Sequence, residues 1–274
     1  MNTPAIELYR SKGLELETEM LQIALCAQHN NGGVAVDLWW QTTVAGLFAV
    51  GECAGTHGIS RPGGSALNAG QVGSLRAAQY LSRHGRAQAE ENAFRAIADC
   101  AVEKHQAFAD GAAEKPNNAK EALSEIRRRM SVDGAAIREP ARMEKALLAT
   151  QEDLKNLTQN IGVGKKELVY IAYQYRDALL CQILCLTAML DYAKIVGVTR
   201  GSALYTNTEG NLREGLDVCF RFISTPRAYA DQVQQGKLTE EGCSFRWRAV
   251  RPLPANEDFF ENIWRTYREN GNIF

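Results

Sequence analysis

The sequence predicts an α+β fold that is mostly α, in which a short β-hairpin and strand element precedes a helical bundle. Two observations predict this class. Up to about residue 52, short apolar runs alternate with turn residues, which is typical of strands. From about Ser65 onward, apolar residues recur at helical spacing along most of the remaining chain.

Composition limits the number of domains and the kinds of partner that the chain can have. The 274 residues suffice for one large domain or two small ones. A net charge of −1 and a pI near 6.5 favour neither nucleic acid nor an anionic membrane as partner, and we expect no membrane span or signal peptide. Seven scattered cysteines without metal-ligand spacing predict no metal site and a reduced, cytoplasmic protein.

The first 52 residues are predicted to hold one helix and three strands. Thr3 and Pro4 start the helix, and Gly13 ends it. The strands are residues 21–27, 34–36 and 47–50. Residues 28–33 form the turn of a hairpin, because Asn-Gly and Gly-Gly readily adopt positive φ, and His29 lies at its tip.

The rest of the chain is predicted to be helical. The segment from 166 to 196 is apolar nearly all round, so we expect it at the centre of the bundle. The predicted helices are 65–83, 87–109, 119–130, 140 to about 161, 166–196, a segment near 211–223, and 258–269.

A candidate ligand loop lies between residues 46 and 80. An apolar run ends at Gly51-Glu52, a glycine-rich loop with His57 and Arg61 follows, and a helix begins near Ser65. Strand, polar loop and helix start together present backbone N–H groups and a partial positive charge to a ligand. The simpler alternatives are a solvated Glu52, a surface Arg61 and an ordinary serine cap.

These residues resemble a known family. GLFAVGE followed by HGISRPGGSALNAGQ is similar to the second flavin-binding segment of the fumarate reductase and succinate dehydrogenase flavoproteins, a family that includes L-aspartate oxidase. ALCAQHNNGG resembles the substrate-site histidine segment of that family, and the later helices resemble its C-terminal helical domain.

The resemblance implies FAD as cofactor and assigns roles to named residues. Glu52 accepts a hydrogen bond from a ribityl hydroxyl of FAD, and Gly64, Ser65, Ala66 and Leu67 turn backbone N–H groups to the flavin N1/C2 edge. Arg61 clamps a substrate carboxylate, and His29 hydrogen-bonds the other polar end of the substrate. For His57 the resemblance implies at most a role in orienting the loop. Arg200, in TRGSALY, resembles an Arg-Gly-Ser/Ala segment near the floor of the family's active site, without the histidine that often follows there.

The chain also departs from the family pattern. It has no GxGxxG fingerprint, so no complete Rossmann domain is expected. The capping domain is also missing, except that LYRSKGLELE resembles the end of that domain, just before the histidine strand. We therefore expect residues 1–86 to be the C-terminal part of an FAD-binding domain and residues 87–274 to be a helical C-terminal domain. A protein partner is expected to carry the dinucleotide-binding and capping domains.

Two functions follow from the sequence. The first is part of an FAD-dependent oxidoreductase that transfers hydride between flavin and a small carboxylate substrate similar to fumarate or succinate. This function requires the partner chain or a missing N-terminal region. The alternative is a truncated, non-catalytic relative that acts as a scaffold or as a subunit-binding module.

Overall fold

The computed structural model describes most of the chain. The described residues are 3–21, 29, 31–58, 64–85, 90–197, 204–222, 229, 231–250, 265, 268 and 269. The chain divides into two compact units, Met1–Ala78 and Gln79–Phe274. The mostly helical α+β class predicted from sequence is confirmed, whereas the predicted domain boundary after residue 86 stays a prediction.

The first unit contains little regular structure before its long helix. Helix α1 spans Thr3–Arg10, and a single 3₁₀ turn spans Gly51–Cys53. The predicted strands at 34–36 and 47–50 contribute only isolated bridges, Val34 with Ala54 and Phe48 with Gln41. Nearly all of the predicted first strand lies outside the described residues. Helix α2, Ser65–His84, follows.

Helix α2 packs on the segment around two tryptophans. Gly73 lies against the indole of Trp40, so close that a Cβ there would be 2.5 Å from the Trp40 Nε1 atom. Arg76 donates from Nε to the carbonyl of Leu38 at 2.9 Å, and its guanidinium lies 4.3 Å from the centre of the Trp39 ring. These contacts fix α2 against the loop that precedes Glu52.

The second unit is built around one apolar helix. Its helices are α3 (Glu91–Ala113), α4 (Ala119–Asp133), α5 (Pro140–Lys155), α6 (Leu157–Asn160) and α7 (Val169–Val196). Side chains of α7 such as Leu179 and Leu186 are fully buried and form the core with residues of α4 and α5. The prediction that this segment is the centre of the bundle is therefore confirmed.

A polar cluster is buried within that core. Gln182 of α7 donates to the carbonyl of Ile126 at 2.9 Å and accepts from the hydroxyl of Thr150 at 2.7 Å. Arg129 donates to the same hydroxyl at 3.1 Å and pairs with Asp153 at 2.9 Å. Because each buried polar group has a partner, the cluster specifies the register of α4, α5 and α7.

The strands of the second unit differ from the prediction. Strand β1, Ile137–Arg138, runs parallel to β2, Leu204–Asn211. The helix predicted near 211–223 is wrong, because β2 extends to Asn211 and only a 3₁₀ turn, Val218–Phe220, follows. The antiparallel pair β3 (Gln232–Thr239) and β4 (Gly242–Ala249) was not predicted from the sequence.

The hairpin of β3 and β4 packs on α7. Gln234 donates from Nε2 to a carboxylate oxygen of Asp191 at 2.8 Å, and Trp247 lies against the ring of Tyr192 at 5.7 Å between centroids. Residues 265, 268 and 269 are helical, and the rest of the predicted final helix lies outside the described residues.

By length and apolar composition alone, Lys166–Val196 also qualifies as a membrane-crossing helix. In this structure its apolar residues instead form the core of the helical unit, as those of a core helix do. No other helix in the described part of the chain meets the same criterion.

Candidate functional site

Two histidines from distant parts of the first unit are in contact. The Nε2 atom of His29 lies 2.9 Å from the Nδ1 atom of His57, and the ring centroids are 5.1 Å apart. The backbone N–H of Asn31 donates to His29 Nδ1 at 2.7 Å. The side chain of His29 is only 5% exposed. Sequence reasoning had placed His29 at a turn and His57 in a loop without predicting that they meet.

Glu52 lies beside this pair. It occupies the 3₁₀ turn Gly51–Cys53 rather than the end of a regular strand, and Gly51 adopts a φ of +68° there. The Glu52 side chain is 65% exposed, and its Oε1 atom is 3.6 Å from His29 Nε2. The 3₁₀ turn fixes the backbone of Glu52, and the exposed carboxylate is available as a hydrogen-bond acceptor for a ligand hydroxyl.

A close approach of two backbones brings these residues together. A Cβ on Gly33 would lie 2.4 Å from the carbonyl oxygen of Cys53. Val34 N donates to that same carbonyl at 2.8 Å, and Gly55 N donates to Val34 O at 3.0 Å. Among the described residues of the predicted turn, 29 and 31–33, Asn31 has a positive φ, at +53°. The importance of Gly33 therefore comes from its missing side chain.

The start of α2 is close to the same turn. Gly64 adopts a φ of +80° before the helix, and a Cβ on Gly70 would be 3.5 Å from the Cα atom of Gly51. The N–H groups of Ala66 and Leu67 precede the first bond of the helix, Asn68 N to Gly64 O at 3.2 Å. Helix N-termini of this kind favour electron-rich ligand groups.

Apolar surface surrounds these polar groups. Leu67, beside the start of α2, is 76% exposed, and Leu47 and Val34 are about half exposed. Exposed apolar side chains next to an acceptor and a helix N-terminus suit a flat aromatic ring system with polar edges.

The structure thus brings together most of the site residues predicted from sequence. His29 and Glu52 are neighbours, and Gly64, Ser65, Ala66 and Leu67 begin the helix whose Gly70 packs on Gly51. Arg61 and Arg200 lie outside the described residues. Within the described part of the chain, no group of three or more His, Cys, Asp or Glu residues could hold a metal ion.

One polar atom of the histidine pair is unsatisfied. In the part of the chain that the structure describes, the Nε2 atom of His57 is buried and has no hydrogen-bond partner, as is true of three other side-chain atoms. A buried polar atom in that state costs about 1–3 kcal/mol. Together with the exposed acceptor Glu52 and the start of α2, these residues fit a flavin nucleotide and a polar substrate.

Comparisons with known proteins agree with this geometry. Residues 20–67 match the FAD binding domain family. A fumarate reductase (CoM/CoB) protein from Methanothermobacter marburgensis is 30% identical over 136 residues, which are 49% of this chain and 24% of that protein. L-aspartate oxidase from Halobacterium salinarum is 40% identical over 85 residues, 30% of this chain and 16% of the relative.

Solved structures extend the similarity of the fold. A quinol–fumarate reductase with menaquinol molecules matches 93% of this chain and 43% of its own at a TM-score of 0.70 and 19% identity. The quinol fumarate reductase of E. coli gives a TM-score of 0.59 at 20% identity, with 92% of this chain and 42% of its own covered. The chain therefore spans less than half the length of these relatives.

The segment that matches the FAD binding domain family lies within the first unit. In sequence the chain is similar to flavoproteins that include fumarate reductase and L-aspartate oxidase.

Proposed function

We propose that this chain provides the flavin-edge and substrate-carboxylate half of the active site of an FAD-dependent oxidoreductase. The observation that carries the proposal is the meeting of Glu52 and the His29–His57 pair beside the start of α2. The proposed substrate is a small carboxylate similar to fumarate or succinate. When bound, FAD supplies the two-electron chemistry, since it takes up or releases hydride.

In this proposal, the candidate site residues bind and orient the cofactor and the substrate. The carboxylate of Glu52 accepts a hydrogen bond from a ribityl hydroxyl. The backbone N–H groups of Gly64, Ser65, Ala66 and Leu67 donate to the polar edge of the flavin, where the helix N-terminus stabilises negative charge.

Arg61 and the histidine pair hold the substrate. A guanidinium binds a carboxylate through two parallel N–H groups, which fixes both position and orientation. The histidine pair binds the other polar end of the substrate. Two fixed ends align the reacting carbon of the substrate with the flavin, and this alignment lowers the barrier of the reaction.

The proposal includes a partner or an N-terminal region that completes the site. The chain spans 24% of the methanogen fumarate reductase protein that it resembles. The first unit exposes several apolar side chains: Val34, Leu38, Val44, Leu47, Leu67, Val72 and Leu75. Surface of this kind is typical of an interface, and a dinucleotide-binding and capping segment that covered it would complete the FAD site.

A flavin titration tests the cofactor assignment. The purified chain is titrated with FAD, alone and together with a chain that carries the missing dinucleotide-binding domain, and the flavin absorbance and fluorescence are recorded. Glu52→Gln is expected to weaken FAD binding about tenfold, because a hydrogen bond to a charged acceptor becomes a neutral one. Glu7→Gln, on the exposed surface of α1, is the matched control. If the chain binds no FAD, either alone or together with the chain that carries the dinucleotide-binding domain, the proposal is refuted.

A second variant tests the substrate assignment. Arg61→Ala is expected to abolish turnover in the assembled enzyme and to leave FAD bound. Loss of the flavin instead would show that Arg61 belongs to the cofactor site.

The alternative function, a subunit-binding scaffold without catalysis, has one observation in its favour. Helix α3 exposes Phe94, Ile97 and Val102, and next to them an open groove of about 720 Å³ extends to Tyr173 and Arg176 of α7. A colourless chain that still forms a stable complex with another protein would favour this alternative.

A further inference from the structure

The first half of helix α3 is exposed to solvent. Residues 91–97 and 99–107 are all exposed, and the buried residue of the helix is Ala112, near its end. The second half is anchored, because His105 Nδ1 lies 2.9 Å from the hydroxyl of Tyr173 and the ring of Phe108 is 5.0 Å from that of Tyr173. Helices in proteins are stabilised mainly by the packing of an apolar face, so the exposed half of α3 lacks the surface that would stabilise it.

This exposed half presents one apolar face with a charge at each end. Phe94 is 62% exposed and Ile97 is 73% exposed. Glu90 precedes the apolar residues on the same side of the helix, and Lys104 follows them. We call this surface the α3 face, and it consists of Glu90, Ala93, Phe94, Ile97, Cys100, Ala101 and Lys104.

The α3 face continues into an open groove of about 720 Å³ between α3 and the N-terminal part of α7. Cys100 and Ala101 contribute to its apolar wall. Among the described residues that line the groove, the charged or titratable side chains besides this thiol are basic or phenolic, and no carboxylate is present: Lys104, His105, Tyr173 and Arg176. A groove with an apolar wall and a basic rim suits an amphipathic helix that carries acidic residues.

The first turns of α3 are themselves such a helix, and the order of residues on the α3 face is symmetric about Ile97. Consider a second copy of α3 that runs antiparallel, with Ile97 on a two-fold axis. Residues at equal separations before and after Ile97 then face each other. Glu90 faces Lys104 of the second copy, so opposite charges meet. Phe94 faces Cys100, so a large ring meets a small thiol.

We propose that two copies of this chain associate through the α3 face, antiparallel and two-fold symmetric about Ile97. The first turns of each α3 occupy the groove between α3 and α7 of the other copy. Phe94 fills the apolar part of that groove, and Glu90 lies at its basic rim beside Lys104. Every contact occurs twice, as in any isologous interface. The inference goes beyond the proposed function and does not depend on FAD.

Sedimentation equilibrium of the full chain without FAD, from about 1 to 100 μM, is the first test. The mass is expected to rise toward twice the 30.2 kDa of the chain. Ile97→Asp is expected to raise the dissociation constant of the dimer about 100-fold or more, because two carboxylates would be buried on the axis. A mass of 30.2 kDa for the wild-type chain over the whole range refutes the proposal, whichever other protein the groove accepts.

Val102→Asp is the matched control. Val102 is 63% exposed on the same helix, lies outside the groove lining, and points away from the α3 face at 3.6 residues per turn. Its dissociation constant is expected to equal that of the wild type. Circular dichroism checks that both variants keep their helix content, as exposed positions should. Equal weakening by Val102→Asp and Ile97→Asp refutes the α3 face as the interface.

Charge reversal tests the antiparallel register. Glu90→Lys and Lys104→Glu each place like charges opposite one another at both ends of the dimer, and each is expected to weaken association about tenfold or more. An equimolar mixture of the two variants is expected to recover the dimer, because opposite charges face each other again in the mixed pair. Glu90 also caps α3 through the N–H groups of Asn92 and Ala93, and this loss persists in the mixture, so recovery reports the charges alone. A mixture that stays as weak as its components refutes the register.

Discussion

Substitution of Gly33 by alanine is the sharpest test of how the site is assembled. A Cβ at this position would lie 2.4 Å from the carbonyl oxygen of Cys53 and 2.8 Å from the carbonyl carbon of Ala54. Both neighbours are backbone atoms, so no side-chain rotation relieves the contact. The Cys53 carbonyl has to move by about 0.6 Å to restore a 3.0 Å separation.

That displacement acts on the hydrogen bond that joins the two segments. The distance from Val34 N to Cys53 O is 2.8 Å, and the shift stretches it beyond the usual 2.7–3.2 Å range for such bonds. Overpacking costs about 1–3 kcal/mol and a weakened hydrogen bond about 1 kcal/mol. Gly33→Ala is therefore expected to lower the local free energy of opening by about 2–4 kcal/mol.

Amide hydrogen exchange is the assay, because a chain with two compact units does not give one unfolding free energy. Protection of the Val34 and Gly55 amides is expected to fall about 30-fold or more. Gly111→Ala, in α3, is the control, since a Cβ there meets nothing within 4 Å. Unchanged protection of Val34 in Gly33→Ala would show that the two backbones are not held together by this contact.

Two further predictions concern the helical unit. Thr150→Val removes the buried hydroxyl that contacts Gln182 and Arg129, and it is expected to lower the free energy of unfolding by about 1–3 kcal/mol in thermal or urea denaturation. Thr158→Val, at an exposed position, is the control and is expected to change it by less than about 0.5 kcal/mol. Equal effects of the two substitutions would refute the role of the buried cluster. Burial, assisted by the carboxylate of Asp153, raises the pKa of Tyr175 from 10.0 to about 12. Because the unfolded chain loses this proton first, the stability of the helical unit is expected to fall between about pH 10 and pH 12. Tyr175→Phe should reduce that fall in pH-dependent unfolding experiments, and an identical pH profile for the variant would contradict the assignment.

The helical unit is largely predictable from sequence because the periodicity of its apolar residues is local. Apolar residues at helical spacing predicted α4 and α7 within three residues of their observed ends, whereas the helix predicted from 140 to about 161 is divided into α5 and the short α6. Strands β3 and β4 were not predicted, because polar and apolar residues alternate only weakly along them. Strands β3 and β4 carry polar residues such as Gln234, Gln235 and Arg246. The two strands are held by their antiparallel pairing with each other, which a periodicity within one strand does not reveal.

Sequence by itself determined which residues of this protein are candidates for the site, and tertiary structure decided which of them lie together. The motifs identified Glu52, His29 and the start of α2, because a glycine-rich turn and a helix N-terminus leave local signals. No local pattern could show that His29 meets His57, 28 residues further along, or that Gly33 lies on the carbonyl of Cys53. These contacts depend on the approach of distant backbone segments, which only the folded chain defines.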